Sequence, residues 1–593
     1  MTYANRVAGR RLKASLRGWT ILAAGLAGMS GQAMEIDGGN PDLTIRWDNT
    51  PRYTLGERVQ RPSYKLLSDA NANDGDSNFE HGIVTNRLDW LSEADVVYQG
   101  RFGARVSGDF WYDQAYASLK TANIVTPGEL SGTTLVSNLS NYAERYFRGV
   151  SGELLDAFVF ARGSAGPVDF NIKVGRHTEI WGESLYLSGA VNGISYAQSP
   201  IDVAKAYANP GAEAKELFRP LNNVSLDLQP SENLSISAQY FLQWQPYRFP
   251  EDGTYYGMYD VAQYGGTIAY ASAATNANPL LNPYVTRGTD VVPSYSGSWG
   301  VSARWSPNFL DGTLGLYYRQ FNDMTPQLGI VTSAAGTNTL LTGKPGAGYP
   351  NLGTYFLSYA GDIRMVGASL AKQIAGISFG AEFNYRDNMP LVSDPGIIIL
   401  TGPFAAFVPK VAGTSSYMPT NGDAVGAVGK TAHGVLNALY SLAGTALFDG
   451  ASLGGELAWS HLVGVTKDEA NYLGRSYLLG PSDSFRATNN AMTAAISFTP
   501  TWYSVAPSID LSMPTSFSLG LFGNSPVALG GNKNVGTFGV GLSALIQQNY
   551  TVSLQYTGEM GELRIGPKGV VQNGLGSLLQ DRGALYLIAK TTF

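Results

Sequence analysis

The stretch GRHTEIWGES, residues 175–184, gathers side chains that could do acid–base or metal chemistry. It holds His177, one of four histidines in the chain, together with Arg176, Glu179 and Glu183. An imidazole beside carboxylates transfers protons or binds a metal ion, and a spacing of two places His177 and Glu179 on one face of a strand. Two ligands are too few for a metal site by themselves. The sequence therefore predicts no metal site and no cofactor here.

The histidines also bear on a membrane-embedded hydrolase. Outer-membrane phospholipases and lipid A deacylases carry His-x-Ser, which places the histidine and the serine on the same side of a strand. None of the four histidines here has a serine two residues later: His81, His177, His433 and His461. Ser460 is the direct neighbour of His461 and would face the opposite side. The sequence therefore predicts no catalytic residues and favours a protein that is not an enzyme.

Another cluster of polar side chains is DANANDGDSNFE, residues 69–80, which partly matches an EF-hand calcium loop. Four ligand positions have suitable residue types: Asp69, Asn71, Asn73 and Glu80. The glycine required at the sixth position comes one residue late, at Gly75, and no helical pattern flanks the loop. The pattern favours a solvated acidic loop, with calcium binding as the alternative.

The elements that position these residues begin after a predicted secretory signal, residues 1–33. Basic residues precede a short apolar core at 19–27, and small residues follow at 31–33. The core is too short to span a membrane, which takes about 20 apolar residues. Removal of the signal takes five basic residues from 40 and leaves 35 against 46 acidic residues, a net charge of −11. An exported chain this acidic is not expected to bind nucleic acid.

The composition of residues 34–593 predicts a single transmembrane β-barrel domain. Charged residues make up only 15% of the chain, whereas about 25% is usual. The chain has 71 glycines, 34 tyrosines and no cysteine. The most apolar late segment, 396–408, is broken by Gly402 and Pro403, so no membrane helix is expected. An exported chain of this kind is typical of the outer membrane of a Gram-negative bacterium.

Alternating side chains mark the strands of that barrel. In 234–244 the residues from Leu234 to Trp244 at even positions are apolar and predict a lipid-facing side; segments 538–546 and 551–556 alternate in the same way. Eighteen antiparallel strands are predicted, within a range of 16–18, near 43–58, 86–98, 101–115, 152–162, 168–181, 221–229, 233–245, 296–306, 312–323, 362–374, 376–387, 434–448, 451–463, 489–499, 502–513, 536–547, 550–559 and 582–593.

The links between these strands alternate in length. Eight are short and include the turns at 99–100, 449–450 and 500–501. Nine are long and include 182–220, 388–433 and 514–535. Short periplasmic turns and long extracellular loops are the signature of outer-membrane barrels, and an even strand count leaves both termini in the periplasm.

The last strand supports the same fold. Its end, ALYLIAKTTF, places Leu585 and Phe593 on one face and Lys590 on the other. A lysine facing lipid at mid-membrane would cost about 2–4 kcal/mol, so Lys590 is expected inside. The terminal aromatic Phe593 is the feature that the barrel-assembly machinery recognises, and we expect that machinery and outer-membrane lipid among the partners.

Strand parity predicts the surroundings of GRHTEIWGES. DFNIKVGRHTEIW forms the fifth strand and climbs to the outer surface, and the third long link, 182–220, follows it. In general porins the third outer loop folds into the lumen and narrows it. The expected lumenal or constriction residues are Lys173, Arg176, His177, Glu179, Trp181, Glu183, Lys205, Lys215, Glu216 and Arg219. Buried opposite charges require partners, so Lys173 or Arg176 is expected to pair with Glu179, Glu183 or Glu216.

Several stretches of the first 250 residues resemble one outer-membrane family. They are PDLTIRWDNTPRYTLGERV (41–59), DGDSNFEHGIVTNRLDWLSEADVVY (74–98), FGARVSGDFWYDQAY (102–116), ELLDAFVF (153–160), VGRHTEIWGESLY (174–186) and AKELFRPLNNVSLDL (214–228). The family is catalogued as domain of unknown function 1302. Its genes often lie near an inner-membrane transporter of the resistance-nodulation-division type and near a periplasmic protein. The resemblance therefore implies these two partners and an outer-membrane route for lipid-like molecules.

These observations predict a porin-like outer-membrane channel or transporter for a hydrophobic or amphiphilic compound. The substrate class rests on apolar stretches in the predicted outer loops: 278–285, 397–400, 404–408 and 517–523. Packing of the loops against each other is the alternative explanation of those stretches. The alternative functions are a general porin for small polar solutes and a structural or enzymatic barrel without transport.

Overall fold

The computed structural model describes residues 34–117, 119, 129–131, 134–136, 139–261, 264–270, 282–332, 351–399, 414–415, 418–474, 486–564 and 575–593. The predicted signal, residues 1–33, lies outside these ranges. None of the described helices is both long enough and apolar enough to cross a membrane.

Eighteen antiparallel strands form one closed barrel. The barrel strands are β1 Leu43–Arg58, β2 Gly82–Tyr98, β3 Phe102–Asp113, β4 Gly149–Ala165, β5 Val168–His177, β6 Leu221–Ser231, β7 Leu234–Phe241, β8 Trp299–Trp305, β9 Gly312–Phe321, β10 Ile363–Ile374, β11 Ile377–Pro390, β12 Val428–Ala443, β13 Gly450–Lys467, β14 Asn490–Ala506, β15 (in two parts, Ile509–Ser512 and Thr515–Phe522), β16 Gly536–Ile546, β17 Tyr550–Met560 and β18 Ala584–Lys590. Each pairs with the next, and β18 closes on β1 in the register Arg52↔Lys590. The predicted fold and strand count are confirmed.

The other described elements are short and are not strands of this wall. A strand at Met34–Asp37 pairs with β1, and two strands at Glu129–Ser131 and Thr134–Val136 pair with each other. The described helices are Tyr64–Leu67, Asp74–Asn78, Gln114–Ala117, Asn141–Ala143, Leu187–Asn192, Val203–Ala208 and Ala214–Leu217, with one π turn at Glu144–Arg148 and 3-10 turns at Glu469–Asn471 and Leu575–Leu579.

The wall is apolar outside and polar inside. Phe383 on β11 is 53% exposed, whereas its neighbours Glu382 and Asn384 are buried. Leu316 on β9 is 64% exposed, and the inward Arg319 on the same strand is buried. An outward-facing apolar surface of this kind is suited to lipid, because contact of apolar side chains with water is unfavourable in free energy.

The links alternate as expected. The short links, such as 99–101 and 375–376, have two to six residues, and the long links have 13 to 57. The turn predicted at 500–501 is wrong: β14 continues to Ala506 and turns at 507–508. The predicted outer loop 514–535 is therefore shorter, and most of 517–523 is barrel wall in β15.

Two strand ends also differ from expectation. Strand β5 ends at His177, so Thr178 to Trp181 belong to the following loop. Strand β7 ends at Phe241, and Trp244, expected to face lipid, is instead 5% exposed and donates Nε1 to the carbonyl of Asp323 at 3.0 Å.

Three of the long outer links build a second sheet of six short strands, which we term the cap sheet. Links 242–298, 322–362 and 391–427 contribute its strands: Ile268–Tyr270, Tyr284–Arg287, Gln327–Thr332, Asn351–Ser358, Gly396–Ile399 and Thr414–Ser415. Val285, Ile398 and Ile399 are buried in it. Loop–loop packing therefore explains the described parts of two apolar stretches; residues 278–281, 400 and 404–408 lie outside the described ranges.

Candidate functional site: a lumen crossed by loop 3

The link between β5 and β6, residues 178–220, runs through the interior of the barrel; we term it loop 3. Its first part contacts β11 and β13 through Glu382 and Glu456. Its later part contacts β1 and β3 through Arg52 and Asp109. These strands lie on opposite sides of the barrel in the order of pairing. A single loop reaches both sides only by crossing the lumen.

Two wall carboxylates hold the first part of loop 3. Glu382 accepts hydrogen bonds from the backbone N–H of Ser184 at 2.9 Å and of Ile194 at 2.6 Å. Glu456 accepts from the N–H of Leu185 at 2.6 Å. Enclosed backbone N–H groups need an acceptor, and these two side chains supply it. The two carboxylates therefore fix the backbone of the loop rather than its side chains.

Two arginines of the barrel wall also hold the first part of loop 3, and they bind its backbone carbonyls. Arg386 on β11 donates Nη2 to the carbonyls of Val191 and Gly193, both at 2.9 Å. Arg319 on β9 donates Nη1 to the carbonyl of Ile194 at 2.8 Å. The helix Leu187–Asn192 thus has a carboxylate near its N-terminal end and a guanidinium at its C-terminal end, the arrangement that satisfies its unpaired backbone groups.

Ion pairs hold the second part of loop 3. Lys205 lies 2.6 Å from Asp109 on β3, and Glu216 forms a bidentate pair with Arg52 on β1, at 2.7 and 2.8 Å. Lys590 on β18 turns inward, as expected, and lies 3.0 Å from Glu213. These pairs are buried or half-buried, so screening by solvent is weak and loss of one partner is costly.

The local charges decide the ionisation of the loop residues. Burial by itself would raise the pKa of Glu216, but the hydrogen bonds and charge of Arg52 outweigh it and lower the pKa to about 2. Burial would lower the pKa of Lys205, but Asp109 and then Asp202 raise it. Glu216 therefore stays ionised and Lys205 stays protonated at neutral pH.

The residues of GRHTEIWGES take separate positions. Lys173 lies 3.2 Å from Glu179, one of the pairs expected from the sequence. His177 is 3% exposed, and its Nε2 lies 2.8 Å from Oγ of Ser225 on β6. Ser225 is 1% exposed, so this His–Ser pair is an enclosed hydrogen bond of the wall.

The remaining members of that stretch lie at the end of β5 and at the start of loop 3. Glu183 lies 3.2 Å from Arg304 on β8. Trp181 is buried with its ring 6.2 Å from that of Tyr317. Arg176 forms no ion pair within the described residues; its Nε donates to the carbonyl of Leu155 at 2.9 Å. These side chains therefore have separate partners and do not form one cluster.

Lys215 and Arg219 lie on the later part of loop 3. Lys215 pairs with Glu93 on β2 and lies 3.5 Å from Glu213. Arg219 donates to the side chain of Gln245 at 2.7 Å, and its Nε lies 4.0 Å from Glu153. Burial, and then the neighbouring charge of Arg248, lowers the pKa of Arg219.

Sequence reasoning did not identify the wall partners of loop 3. They are Arg52, Glu93, Asp109, Arg304, Arg319, Glu382, Arg386 and Glu456. A usable signal was present, because each is a charged residue at an inward position of a strand that alternates. What alternation does not give is which inward charges meet which part of the loop.

A small cavity of about 30 Å³ lies where loop 3 meets β3 and the link 242–298. Aromatic rings and cations line it together: Trp111, Tyr146, Tyr256, Lys205 and Arg248 are among its residues. Lys205 and Arg248 lie over the rings of Trp111 and Tyr146, at 5.6 and 3.9 Å from the ring centres. A cavity of this volume holds one or two water molecules.

Solved structures similar to this chain are outer-membrane barrels of low sequence identity. OccAB1 of Acinetobacter baumannii is 11% identical, over 95% of this chain and 99% of that chain, with a TM-score of 0.41. OccD3 (OpdP) of Pseudomonas aeruginosa is 11% identical over 95% and 94%, with a TM-score of 0.37. The outer membrane protein OpdK of Pseudomonas aeruginosa is 10% identical over 93% and 98%, with a TM-score of 0.35.

The sequence itself is similar to one protein family. None of the curated proteins matches the chain. The family model described as protein of unknown function, DUF1302, matches residues 16–593, and this confirms the resemblance seen in the first 250 residues. The chain, a closed outer-membrane-type barrel with an anchored loop across its lumen, therefore belongs to the DUF1302 family.

Proposed function

We propose that the protein is a channel of the bacterial outer membrane, that loop 3 is its constriction, and that its solute is amphiphilic. The observation that carries the proposal is the course of loop 3, which crosses a closed barrel and is attached to both of its sides. Barrels of 16–18 strands enclose an aqueous lumen. A loop anchored across that lumen narrows it, and the residues described above line the constriction.

The class of solute is supported by the lining of the cavity beside loop 3. Aromatic rings and cations share the same wall there, and the cations are held by carboxylates such as Asp109 and Asp202. Such a surface accepts an apolar ring or chain and a charged or polar group at once. Because the cavity is no larger than about 30 Å³, a solute passes this point only when loop 3 moves.

The partners follow from the family and from the chain end. We propose that an inner-membrane exporter supplies the solute, on the strength of the gene association of the family alone. We also propose that Phe593 is recognised during assembly: its backbone pairs with Asn49 on β1, at 2.8 and 3.0 Å, and closes the barrel seam. Phe593→Ala should lower the yield of barrel in the outer membrane, and equal yields of variant and wild type would remove this role.

The channel is tested with purified protein in planar lipid bilayers. Glu382→Gln with Glu456→Gln weakens the attachment of loop 3, so the double variant should show larger or more frequent current steps than the wild type. Glu232→Gln, in an exposed short turn, is the matched control. Bilayers that stay sealed with both wild type and double variant, after insertion is verified, would exclude a channel.

Two further measurements separate the solute classes. A general porin for small polar solutes would swell liposomes loaded with sugars or amino acids, whereas the constricted channel should not. Lipid and metabolite profiles of a deletion strain should show accumulation of an amphiphilic compound. Unchanged profiles would favour a structural barrel.

A further inference from the structure

Two outer loops bring three carboxylates together outside the lumenal site. Asp74 comes from the link between β1 and β2, and Asp252 and Asp260 come from the link between β7 and β8. One carboxylate oxygen of each lies within 4.8 Å of the other two, and all three side chains are buried. We term these residues the acidic cluster.

The polar atoms of the acidic cluster are not all satisfied by the protein. Asp260 is 1% exposed, and its Oδ2 accepts a hydrogen bond from the N–H of Asn73 at 3.1 Å. Its other oxygen, Oδ1, is enclosed and has no hydrogen-bond partner. A buried acceptor without a partner costs free energy, and a buried charge costs more. A ligand that accepts electron pairs from oxygen would remove that cost.

The arginines near the cluster are occupied elsewhere. Arg582 contributes favourable charge to Asp260, but its guanidinium lies 3.1 Å from Asp76 and 3.2 Å from Asp581. Arg58 also pairs with Asp76, at 2.7 Å. These contacts explain why Asp76, although it belongs to the same acidic stretch, is not a member of the cluster.

The spacing of the oxygens fits a calcium ion. Calcium–oxygen distances are about 2.3–2.6 Å, so two ligands on opposite sides of the ion lie at most about 5 Å apart. The observed limit of 4.8 Å meets this condition. A set made only of carboxylate oxygens suits a hard divalent cation such as calcium rather than a softer metal such as copper or zinc. We propose that Asp74, Asp252 and Asp260 bind one calcium ion and thereby fasten the first outer loop to the fourth.

The proposed ligands differ from those of an EF-hand. The side-chain amide of Asn71 bonds to the backbone of Tyr270, through its nitrogen at 2.9 Å and its oxygen at 2.8 Å. Glu80 has a side chain that is 74% exposed. Asp69 and Asp74, in contrast, are buried, so the expectation of a solvated acidic loop is wrong. The site is made by two loops that lie far apart in sequence, which no single-loop motif describes.

The neighbouring charges support a cation. The carboxylates of Asp74, Asp252 and Asp260 are enclosed and close together. Like charges at this spacing repel one another, and a calcium ion bound between them would remove that repulsion. The inference does not rest on the proposed channel.

The test is calorimetric titration of the purified full-length barrel with CaCl₂ after treatment with EDTA. We expect one calcium ion per chain and affinity at least about tenfold lower in Asp252→Asn and Asp260→Asn. Glu80→Gln, which removes the last EF-hand position, is the control and should bind like the wild type. Absence of binding by folded wild type, equal binding by Asp260→Asn, or equal affinity for MgCl₂ would each overturn the calcium site.

A second measurement, of thermal unfolding, also reports whether each variant folds. Calcium should raise the unfolding temperature of the wild type but not of Asp260→Asn. In EDTA, Asp260→Asn should unfold at or above the wild-type temperature, because it removes repulsion between carboxylates. A calcium-dependent rise of equal size in both proteins would contradict the proposal.

Discussion

The largest side chains that are fully enclosed in the described residues are those of Arg319, Arg386 and Arg582. In a soluble domain such positions hold apolar residues. Here the Arg319 and Arg386 guanidiniums lie over the buried rings of Phe321 and Tyr196 and donate to backbone carbonyls of loop 3. Single charges inside the barrel therefore act together with apolar packing to hold loop 3.

The bidentate pair of Glu216 with Arg52 gives the first prediction. Glu216→Ala leaves the Arg52 guanidinium buried without its main partner, and breaking such a pair costs about 3–5 kcal/mol. We expect a corresponding decrease in the free energy of unfolding by urea in detergent. Glu80→Ala, on the exposed surface, is the control. Equal unfolding midpoints of Glu216→Ala and wild type would show that the pair contributes nothing.

The pH dependence of that pair follows from the lowered pKa. Because the folded pKa of Glu216 is about 2 and its ordinary value is 4.5, its contribution is fully present above pH 4.5 and is lost as the pH falls toward 2. Circular dichroism at mild acid, near pH 4, should therefore show little loss of structure that depends on this residue.

Glu251 in the outer link 242–298 behaves in the opposite way. It is fully enclosed, and burial raises its pKa to about 8 although the N–H groups of Gly265 and Tyr264 oppose the shift. Its contribution to stability is therefore complete below pH 4.5 and is lost as the pH rises to 8. We expect proteolysis of this link to become faster between those pH values, and Glu251→Gln to flatten the profile. An identical profile in the variant would refute the assignment.

At the scale of elements, alternation and link length predict the barrel well because the period of two is a property of every membrane strand. The error at 500–501 has a physical cause. Pro500 lies within β14 opposite Ala451, and Pro514 interrupts β15, so prolines that suggest turns occur inside these strands. Proline lacks an N–H and is tolerated in a strand where no ladder bond is needed.

The analogy with the third outer loop of general porins predicts the course of loop 3, whereas the sequence does not predict the cap sheet. Its strands have two to eight residues and pair across three separate links. Such short segments carry little alternation, and their partners depend on how the loops meet. The sequence likewise predicts that His177 and Lys205 are interior residues. It does not predict that Ser225 and Asp109 are their partners, because that depends on how distant parts of the chain meet.

The attachment of the helix Leu187–Asn192 gives a prediction for the loop as an element. A methyl group on Gly189 would overlap the carboxylate of Glu456, so Gly189→Ala should displace that anchor and loosen loop 3. Gly455→Ala on β13 is the control, because its nearest heavy atom would be 4.0 Å away. We expect larger current steps in bilayers from Gly189→Ala only. Equal currents in both variants would show that this anchor does not hold the loop.

At the scale of the molecule, the described residues form three parts: a barrel wall, a loop that crosses its interior, and the outer links. The barrel wall presents apolar residues to lipid, loop 3 crosses the lumen, and the outer links form the cap sheet and the acidic cluster. The wall positions the charges that hold loop 3, and in the proposed channel loop 3 with its walls sets the width of the passage. Selection among solutes is therefore expected to depend on interior charges and not on the apolar outer stretches.

The most direct test of a passage beside loop 3 uses the absence of cysteine from the chain. Lys215→Cys places a single thiol on loop 3 at a side chain that is 44% exposed, and Leu316→Cys places one on the lipid-facing wall. A charged methanethiosulfonate reagent should reduce the single-channel current of Lys215→Cys and leave that of Leu316→Cys unchanged. A current through Lys215→Cys that stays constant after verified labelling would contradict a route along loop 3.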